Sequence, residues 1–327
     1  MVSLFRGMPM PMFQPRRCLN ALFAKLAALL LAALTGCASV PGAGRSGRLD
    51  ETPRIAVISA FQPELTLLRS RLQQPRTYTV NGVEFSTGVL QGKPVLMFLS
   101  GISMTNAAMN TQMALDRFRV SHLVVSGIAG GVNPALHIGD VTVARRWGQY
   151  LEVVMARETA PGRYALPPWM KDAGMANFGA MHPQPVEVRS AGRAEMEKKF
   201  WFDADPQLLA IAARIRDVAL ERCDLASKCL THTPKLVLGG NGVSGQAFVD
   251  NAAFREYTFR TFEANVLDME TAATAMVAYS NGVPYIAFRS LSDLAGGGEG
   301  GNEMGTFFKI AADNSARVLL AFLAAWK

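Results

Sequence analysis

The stretch "VPYIAFRSLSDLAGGGEGG", residues 283–301, places a lone acid, Asp293, between an apolar strand and a glycine-rich loop. The apolar run over 283–292 is typical of a buried strand. The glycines after Asp293 do not predict a helix that this carboxyl could cap. Open α/β sheets bind their ligands at the carboxyl ends of their strands. The stretch therefore predicts a binding site at Asp293.

Strands and helices alternate along the rest of the chain. Apolar runs predict strands at 54–60, 94–100, 121–127, 139–147, 234–240 and 283–292. Helical stretches begin at Pro63 and cover 104–118, 206–221, 252–260 and 303–326, and 266–280 leads from a strand end into a helix. This alternation predicts an α/β fold, a single domain with a central mixed, mainly parallel sheet flanked by helices. Residues 150–200 show no period and are interpreted as an insertion.

The first 36 residues have the composition of a secretory signal. They contain four basic residues, no acid and the apolar run "LAALLLAAL". The sequence Leu34-Thr35-Gly36-Cys37 resembles a bacterial lipobox, which predicts a lipoprotein signal peptide over 1–36 and a lipid on Cys37. Residues 37–53 are then a flexible tether, and 54–327 are the folded domain. This interpretation places the protein in the cell envelope, anchored by lipid at the periplasmic face of the outer membrane.

Two other interpretations of the leader stay open. The first is an uncleaved anchor helix, although its apolar core is shorter than the roughly 20 residues of a membrane span. The second is a misassigned start codon, in which case the protein is cytosolic and Cys37 carries no lipid.

Charge and cysteine content narrow the classes of partner. Removing the four basic residues of the leader lowers the formal net charge from +7 to +3. No basic run with interleaved aromatic residues follows, so the sequence predicts no nucleic-acid partner. The domain keeps Cys223 and Cys229, and outside the cytoplasm such a pair favours a disulfide over a metal site. The four histidines are scattered, so the sequence predicts no bound metal.

Four stretches at predicted strand ends carry the candidate functional residues. Glu64 follows the first strand, "SGIAGG" has glycines that let a ligand approach the backbone, Glu270 lies in "DMETAA", and Asp293 ends the last strand. Taken singly, an acid at a helix start is often a cap, and a glycine run is often a tight turn. The glycine stretch leads into another strand rather than a helix, which excludes a dinucleotide fingerprint.

The same stretches, in this order, resemble the nucleoside phosphorylase and nucleosidase superfamily, which includes methylthioadenosine/S-adenosylhomocysteine nucleosidases. The resemblance covers 54–327 and rests on "SGI…NAA", "SGIAGG", "IGDV", "SGQAFVDN", "DMETAA" and "RSLSD". Paired cysteines before "TPK", together with "FVDNAAFRE" and "LSDLAGGG", are most similar to the plant bark storage protein branch. That branch is secreted, which agrees with the leader.

The resemblance implies a division of roles among three carboxyl groups. Asp293 corresponds to the acid that protonates the leaving purine at N7, Glu270 to the carboxylate that binds the ribose hydroxyls, and Glu64 to the base that activates water. Breaking an N-glycosidic bond passes through an oxocarbenium-like transition state, so the base leaves in protonated form. Burial beneath a closed loop would raise the pKa of Asp293 in the required direction.

The resemblance also implies the partners and the remaining contacts. The substrate is a small-molecule nucleoside, no cofactor is needed, and the protein is a homo-oligomer. The other implied contacts are Met269 along the sugar, Phe248 and Val249 around the purine, and Gly127, Ile128 and Ser292 nearby.

The nucleophile is less well determined. Phosphorylases of this family bind phosphate with arginines and a serine of the glycine stretch, where this sequence has Val125 and Ile128. Because an isoleucine side chain does not bind an oxyanion, the sequence favours water over phosphate. A phosphorylase and a catalytically idle nucleoside-binding or storage protein stay open as alternatives. The joint presence of Glu64, Glu270 and Asp293 argues against the idle protein.

Overall fold

The computed structural model describes residues 47–224 and 227–327. Their strands are β1 (Asp50–Ser59), β2 (Gln73–Val80), β3 (Val83–Leu90), β4 (Lys93–Leu99), β5 (Phe118–Gly131), β6 (Val141–Val143), β7 (Arg146–Gln149), β8 (Val153–Met155), β9 (Arg157–Ala160), β10 (Arg163–Ala165), β11 (Met181–Pro183), β12 (Val186–Ser190), β13 (Arg193–Lys199), β14 (Trp201–Asp203), β15 (Leu236–Leu238), β16 (Asn241–Ser244), β17 (Ala264–Asp268) and β18 (Tyr285–Asp293). Their helices are α1 (Gln62–Arg71), α2 (Met104–Arg117), α3 (Pro206–Ala212), α4 (Ala252–Phe262), α5 (Thr271–Asn281) and α6 (Met304–Ala325).

The long strand β5 is the centre of the sheet. It runs parallel to β1 and β18, so that Val124 faces Val57 on one side and Ile286 on the other. These side chains are fully buried, as expected for parallel strands that are covered on both faces. Because the three strands are parallel, their carboxyl ends meet at one edge, and Glu64 and Asp293 lie there.

Antiparallel strands extend this parallel centre into a mixed sheet. The strand order is β14-β7-β16-β17-β5-β1-β4-β3-β2, and β6 pairs with both β18 and β15. The hairpin of β2 and β3 is not predicted from the sequence, because most of β2 is exposed and polar. Its turn residues Asn81 and Gly82 have φ values of 50° and 79°, as a tight two-residue hairpin turn requires.

Helices cover both faces of the sheet. On one face α6 packs on β18, β5 and α1, and its layer includes Leu65, Phe288 and Phe322. On the other face α2 packs on α5 above a layer that includes Phe98 and Phe118. Residues 48–327 form one compact unit. The predicted α/β class, with a mixed sheet flanked by helices, is confirmed.

Two element boundaries differ from the sequence prediction. β1 begins at Asp50, inside the stretch assigned to the tether, because Asp50 pairs with Phe118 of β5 and forms an ion pair with Arg54. The helix predicted over 206–221 ends at Ala212. Asp217 has a φ of 54°, a left-handed value that an α-helix does not contain.

The insertion at 150–200 consists of short antiparallel pairs. β9 pairs with β10, β8 with β11, and β12 with β13, each as a separate two-stranded sheet. The strands are three to seven residues long, which is too short for a clear alternation of apolar and polar residues.

The leader prediction falls outside the part of the chain that the structure describes. Residues 1–36 and Cys37 lie there, as does most of the tether. Within 47–224 and 227–327, no helix is both long enough and apolar enough to cross a membrane. Cys223 and Cys229 are joined by a disulfide in the structure.

Candidate active site

A pocket opens where the carboxyl ends of β1, β5, β17 and β18 meet. Its cavity volume is about 160 Å³. All but one of the predicted catalytic and substrate-binding residues line it, namely Glu64, Ile128, Phe248, Val249, Met269, Glu270, Ser292 and Asp293. The chain therefore brings together residues that are up to 229 positions apart in sequence.

Behind the pocket, the buried guanidinium of Arg289 on β18 contacts three carboxylates. Its Nε lies 2.7 Å from Asp268, its Nη2 lies 3.4 Å from Glu270, and its Nη1 lies 3.6 Å from Glu64. Burial alone opposes the charged form, but the three carboxylates together raise the pKa of Arg289 above its ordinary value. Arg289 is therefore a permanent cation that holds three acids around it.

Glu64 lies in the first turn of α1, five residues after β1 ends at Ser59. One carboxylate oxygen accepts the backbone N–H groups of Ala60 and Phe61, at 2.6 and 3.4 Å. The other accepts the N–H of Ile128 at 2.7 Å. Burial raises the pKa of Glu64, while Arg289 and these N–H groups oppose the rise by stabilising the anion. The site thus holds a buried carboxylate with a fixed orientation.

Glu270 follows β17 at the start of α5, and only 5% of it is exposed. Its Oε1 accepts the backbone N–H of Ser103 at 2.8 Å, and its Oε2 faces Arg289. Burial raises its pKa to about 7, with Arg289 opposing the rise and Asp268 adding to it. Its neighbour Asp268 accepts the backbone N–H groups of Glu270 and Thr271, both at 3.2 Å, and so stabilises the start of α5.

Asp293 ends β18 and is 3% exposed. Its Oδ1 accepts the N–H of Ala295 at 2.8 Å, and its Oδ2 accepts the hydroxyl of Ser292 at 2.8 Å. Burial raises the pKa of Asp293, although these hydrogen bonds and one from Asn302 favour the anion. A buried carboxyl with a raised pKa is suited to act as a general acid.

The remaining walls of the pocket are apolar and leave one aromatic ring open. Phe248 is 59% exposed at the pocket, whereas Val249 beside it is 7% exposed. The apolar lining also includes Ile102, Ile128 and Met304. An accessible ring next to buried carboxyl groups is suited to a ligand that has a flat ring at one end and hydroxyl groups at the other.

Gly127 is the predicted contact that does not line the pocket. A Cβ at this position would collide with the guanidinium of Arg289 and the carboxylate of Glu64. The glycine therefore lets Arg289 and Glu64 approach each other, and its contact with the substrate stays a prediction.

The local sequence patterns did not predict a role for Arg289 or for Asp268. A signal for Arg289 was present, because a lone arginine in the apolar run "YIAFRSLS" must be paired if the strand is buried. Its partners could not be identified, since Glu64 lies 225 positions away.

Comparison with known proteins agrees with this geometry. The family model described as "Phosphorylase superfamily" matches residues 54–324. The chain belongs to this superfamily. It is 31% identical over 247 residues to a 5'-methylthioadenosine/S-adenosylhomocysteine nucleosidase of Bacillus thuringiensis (strain Al Hakam), covering 74% of this chain and 87% of the relative. The nucleosidase of Geobacillus thermodenitrificans is 29% identical over 271 residues, or 83% of this chain and 96% of the relative.

Solved structures of the superfamily share the fold. The S. pneumoniae 5'-methylthioadenosine/S-adenosylhomocysteine nucleosidase with a transition-state inhibitor has a TM-score of 0.59 and 24% identity, covering 84% of this chain and all of that one. The futalosine hydrolase of Helicobacter pylori has a TM-score of 0.59 and 21% identity, covering 83% and 97%. The expected likeness to the bark storage branch and the expected homo-oligomer stay predictions.

The raised pKa of Glu270 predicts a pH-dependent contribution to stability. Its folded-state pKa of about 7 lies above the ordinary value of 4.5. The contribution is therefore complete below pH 4.5 and is lost as the pH rises through about 7. We expect the melting temperature of Glu270→Gln to fall less than that of the wild type between about pH 5 and pH 8. The exposed Glu256→Gln serves as control, and an equal fall in all three proteins would contradict the assignment.

Proposed function

We propose that the protein hydrolyses the N-glycosidic bond of purine nucleosides or 5′-thio-nucleosides, releasing the free base and the sugar. The observation that carries the proposal is the charge of the pocket. Four carboxyl groups line it, those of Glu64, Asp268, Glu270 and Asp293, and none of its described lining residues is a lysine or arginine. The relatives named as nucleosidases support the same reaction.

In the proposed mechanism Asp293 protonates the purine as the bond breaks. The proton goes to N7. The base takes the electron pair of the broken bond and therefore leaves as a neutral molecule and not as an anion. Burial raises the pKa of Asp293, which favours the protonated form that this step needs. Phe248 stacks on the ring, and Val249 contacts its edge.

Glu270 binds the sugar. One carboxylate can accept hydrogen bonds from both ribose hydroxyls. The Ser103 N–H and Arg289 fix this carboxylate from behind, and a fixed acceptor orients the ribose at little entropic cost on binding. Negative charge near the sugar also stabilises a transition state with oxocarbenium character.

Glu64 activates the attacking water. Three backbone N–H groups and the nearby Arg289 stabilise its anion, so it can accept a proton from water as the new bond to the anomeric carbon forms. The protons balance, because Asp293 gives one to the base and Glu64 takes one from water.

The same contacts disfavour phosphate as the nucleophile. The N–H of Ile128 is already donated to Glu64, and the guanidinium of Arg289 is already shared among three carboxylates. A phosphate dianion would therefore meet negative charge without a free cation to compensate it.

Turnover without phosphate is the direct test of the hydrolase. We expect the purified protein to release adenine from methylthioadenosine in phosphate-free buffer, at a rate that added phosphate does not raise, with free methylthioribose as the second product. Chromatography of the products distinguishes hydrolysis from phosphorolysis. Adenine release that requires phosphate and yields a sugar phosphate would establish a phosphorylase instead. Binding without turnover would indicate an idle binding or storage protein.

Removing the proton donor should abolish most of the activity. Asp293→Asn keeps the shape of the side chain but cannot donate the same proton, and we expect kcat to fall by about 10²- to 10⁴-fold. The melting temperature and the Kd for adenine should change little. Asp116→Asn, on the exposed side of α2, is the control and should keep full activity. Normal turnover in Asp293→Asn would remove Asp293 from the mechanism.

The second part of the proposal is that the enzyme is exported and anchored by a lipid on Cys37. The basic, acid-free leader and the lipobox-like Leu34–Cys37 support it. In a bacterial envelope such an enzyme would recover bases from external nucleosides.

Mass spectrometry of the membrane fraction tests this location. We expect an N-terminal peptide that begins at a diacylated Cys37, and we expect Cys37→Ala to lose the lipid while the soluble domain keeps its activity. An unmodified chain that begins at Met1 and stays in the cytosol would overturn the proposed export.

A further inference from the structure

Ser103, just before α2, has an unusual backbone conformation. Its φ is 85° and its ψ is 153°, a combination that is found almost only in glycine. The other described non-glycine residues with positive φ lie between 49° and 62°, the ordinary left-handed region of turns. A side chain at Ser103 is therefore strained in a way that the other described non-glycine residues are not.

The contacts of Ser103 connect two parts of the pocket. Its backbone N–H donates to Glu270 at 2.8 Å. Its hydroxyl donates to the side-chain oxygen of Gln246 at 3.1 Å, and Thr105 donates to the same oxygen at 2.9 Å. Gln246 lies two residues before Phe248 in the segment that also carries Val249.

Glycine would meet the backbone requirement at this position without strain. It would keep the N–H that donates to Glu270, but it would lose the hydroxyl. The hydroxyl is thus what Ser103 provides and glycine would not, and it comes at the cost of the backbone strain. The hydroxyl contacts Gln246, on the side of the pocket proposed to hold the purine.

We propose that Ser103 is a positioning residue that couples the ribose carboxylate to the purine-binding segment 245–249. This inference rests on the proposed function and adds a specificity-determining residue to it. The backbone of Ser103 orients Glu270, and its hydroxyl holds Gln246 so that Phe248 and Val249 keep their distance from the sugar site. The sugar site and the purine-binding segment then have the correct spacing before a nucleoside binds.

Two substitutions at Ser103 separate the hydroxyl from the backbone strain. Ser103→Ala and Ser103→Gly both lose the hydroxyl, and only the glycine variant also relieves the strain. We expect KM for methylthioadenosine to rise about two- to tenfold in both, the effect of one hydrogen bond. kcat should stay within about twofold, because Glu64, Glu270 and Asp293 are untouched. Only Ser103→Gly should melt at a higher temperature than the wild type, by about 2 °C or more.

Two matched variants serve as checks, one for the effect of the lost hydroxyl on KM and one for the effect of relieving backbone strain. Gln246→Leu should raise KM as Ser103→Ala does, and the double variant should be no worse than either single one. Gln91→Gly relieves positive φ in a turn between β3 and β4 and should leave KM unchanged. An unchanged KM in Ser103→Gly would overturn the coupling, and so would a melting temperature no higher than that of the wild type.

Hydrogen exchange separates this inference from the proposed function. In Ser103→Ala the amides of 245–249 should exchange faster than in the wild type, whatever the enzyme hydrolyses. If the wild type turns over no purine nucleoside, the proposed function fails, and the exchange data still decide the coupling. If the wild type is active but the amides of 245–249 exchange at the same rate in Ser103→Ala as in the wild type, the proposed coupling is wrong and the proposed function stands.

Discussion

The structure depends on the buried guanidinium of Arg289. The three carboxylates come from two segments of the chain, Glu64 from the start of α1 and Asp268 and Glu270 from the junction of β17 and α5. Each is almost completely removed from water. An isolated buried carboxylate is strongly unfavourable, so these segments can meet only around a shared cation. One cation does not neutralise three acids, so an excess of negative charge beside Glu270 adds to the effect of its burial. The pKa of about 7 for Glu270 is the direct consequence.

A second regularity of the site is that a backbone N–H in the last residues of a strand, or in the loop after it, donates to each functional carboxyl group. Ile128 donates to Glu64 at 2.7 Å, Ser103 to Glu270 at 2.8 Å, and Ala295 to Asp293 at 2.8 Å. Backbone donors are fixed by the fold and lose little freedom when they bind. They set the direction of each carboxylate before a ligand enters, which is the preorganisation that catalysis by charged groups requires.

These contacts bear on the different roles proposed for similar side chains in one pocket. Burial raises the pKa of Glu64 and of Asp293 alike. Glu64 has three backbone donors and lies 3.6 Å from Arg289, whereas the rise at Asp293 is opposed by one backbone donor, the Ser292 hydroxyl and Asn302. Arg289 thus gives the anion of Glu64 a stabilisation that Asp293 does not receive from it. The proposed roles, a base for water and a proton donor for the leaving purine, require a difference in this direction.

The sequence by itself determined the α/β class, the parallel strands at the centre, and the acids at their ends, because buried parallel strands are continuous apolar runs that stop where the polar site begins. It did not determine the hairpin of β2 and β3, whose polar residues are exposed, or the end of α3 at Ala212. The tertiary structure was needed to show which acids share Arg289, that Gly127 leaves room for Arg289 and Glu64, and that Ser103 reaches Glu270 and Gln246. The contacts of Ser103 with Gln246 and Glu270, and that of Glu64 with Arg289, join positions 143 to 225 residues apart, and local pattern contains no information about such distances.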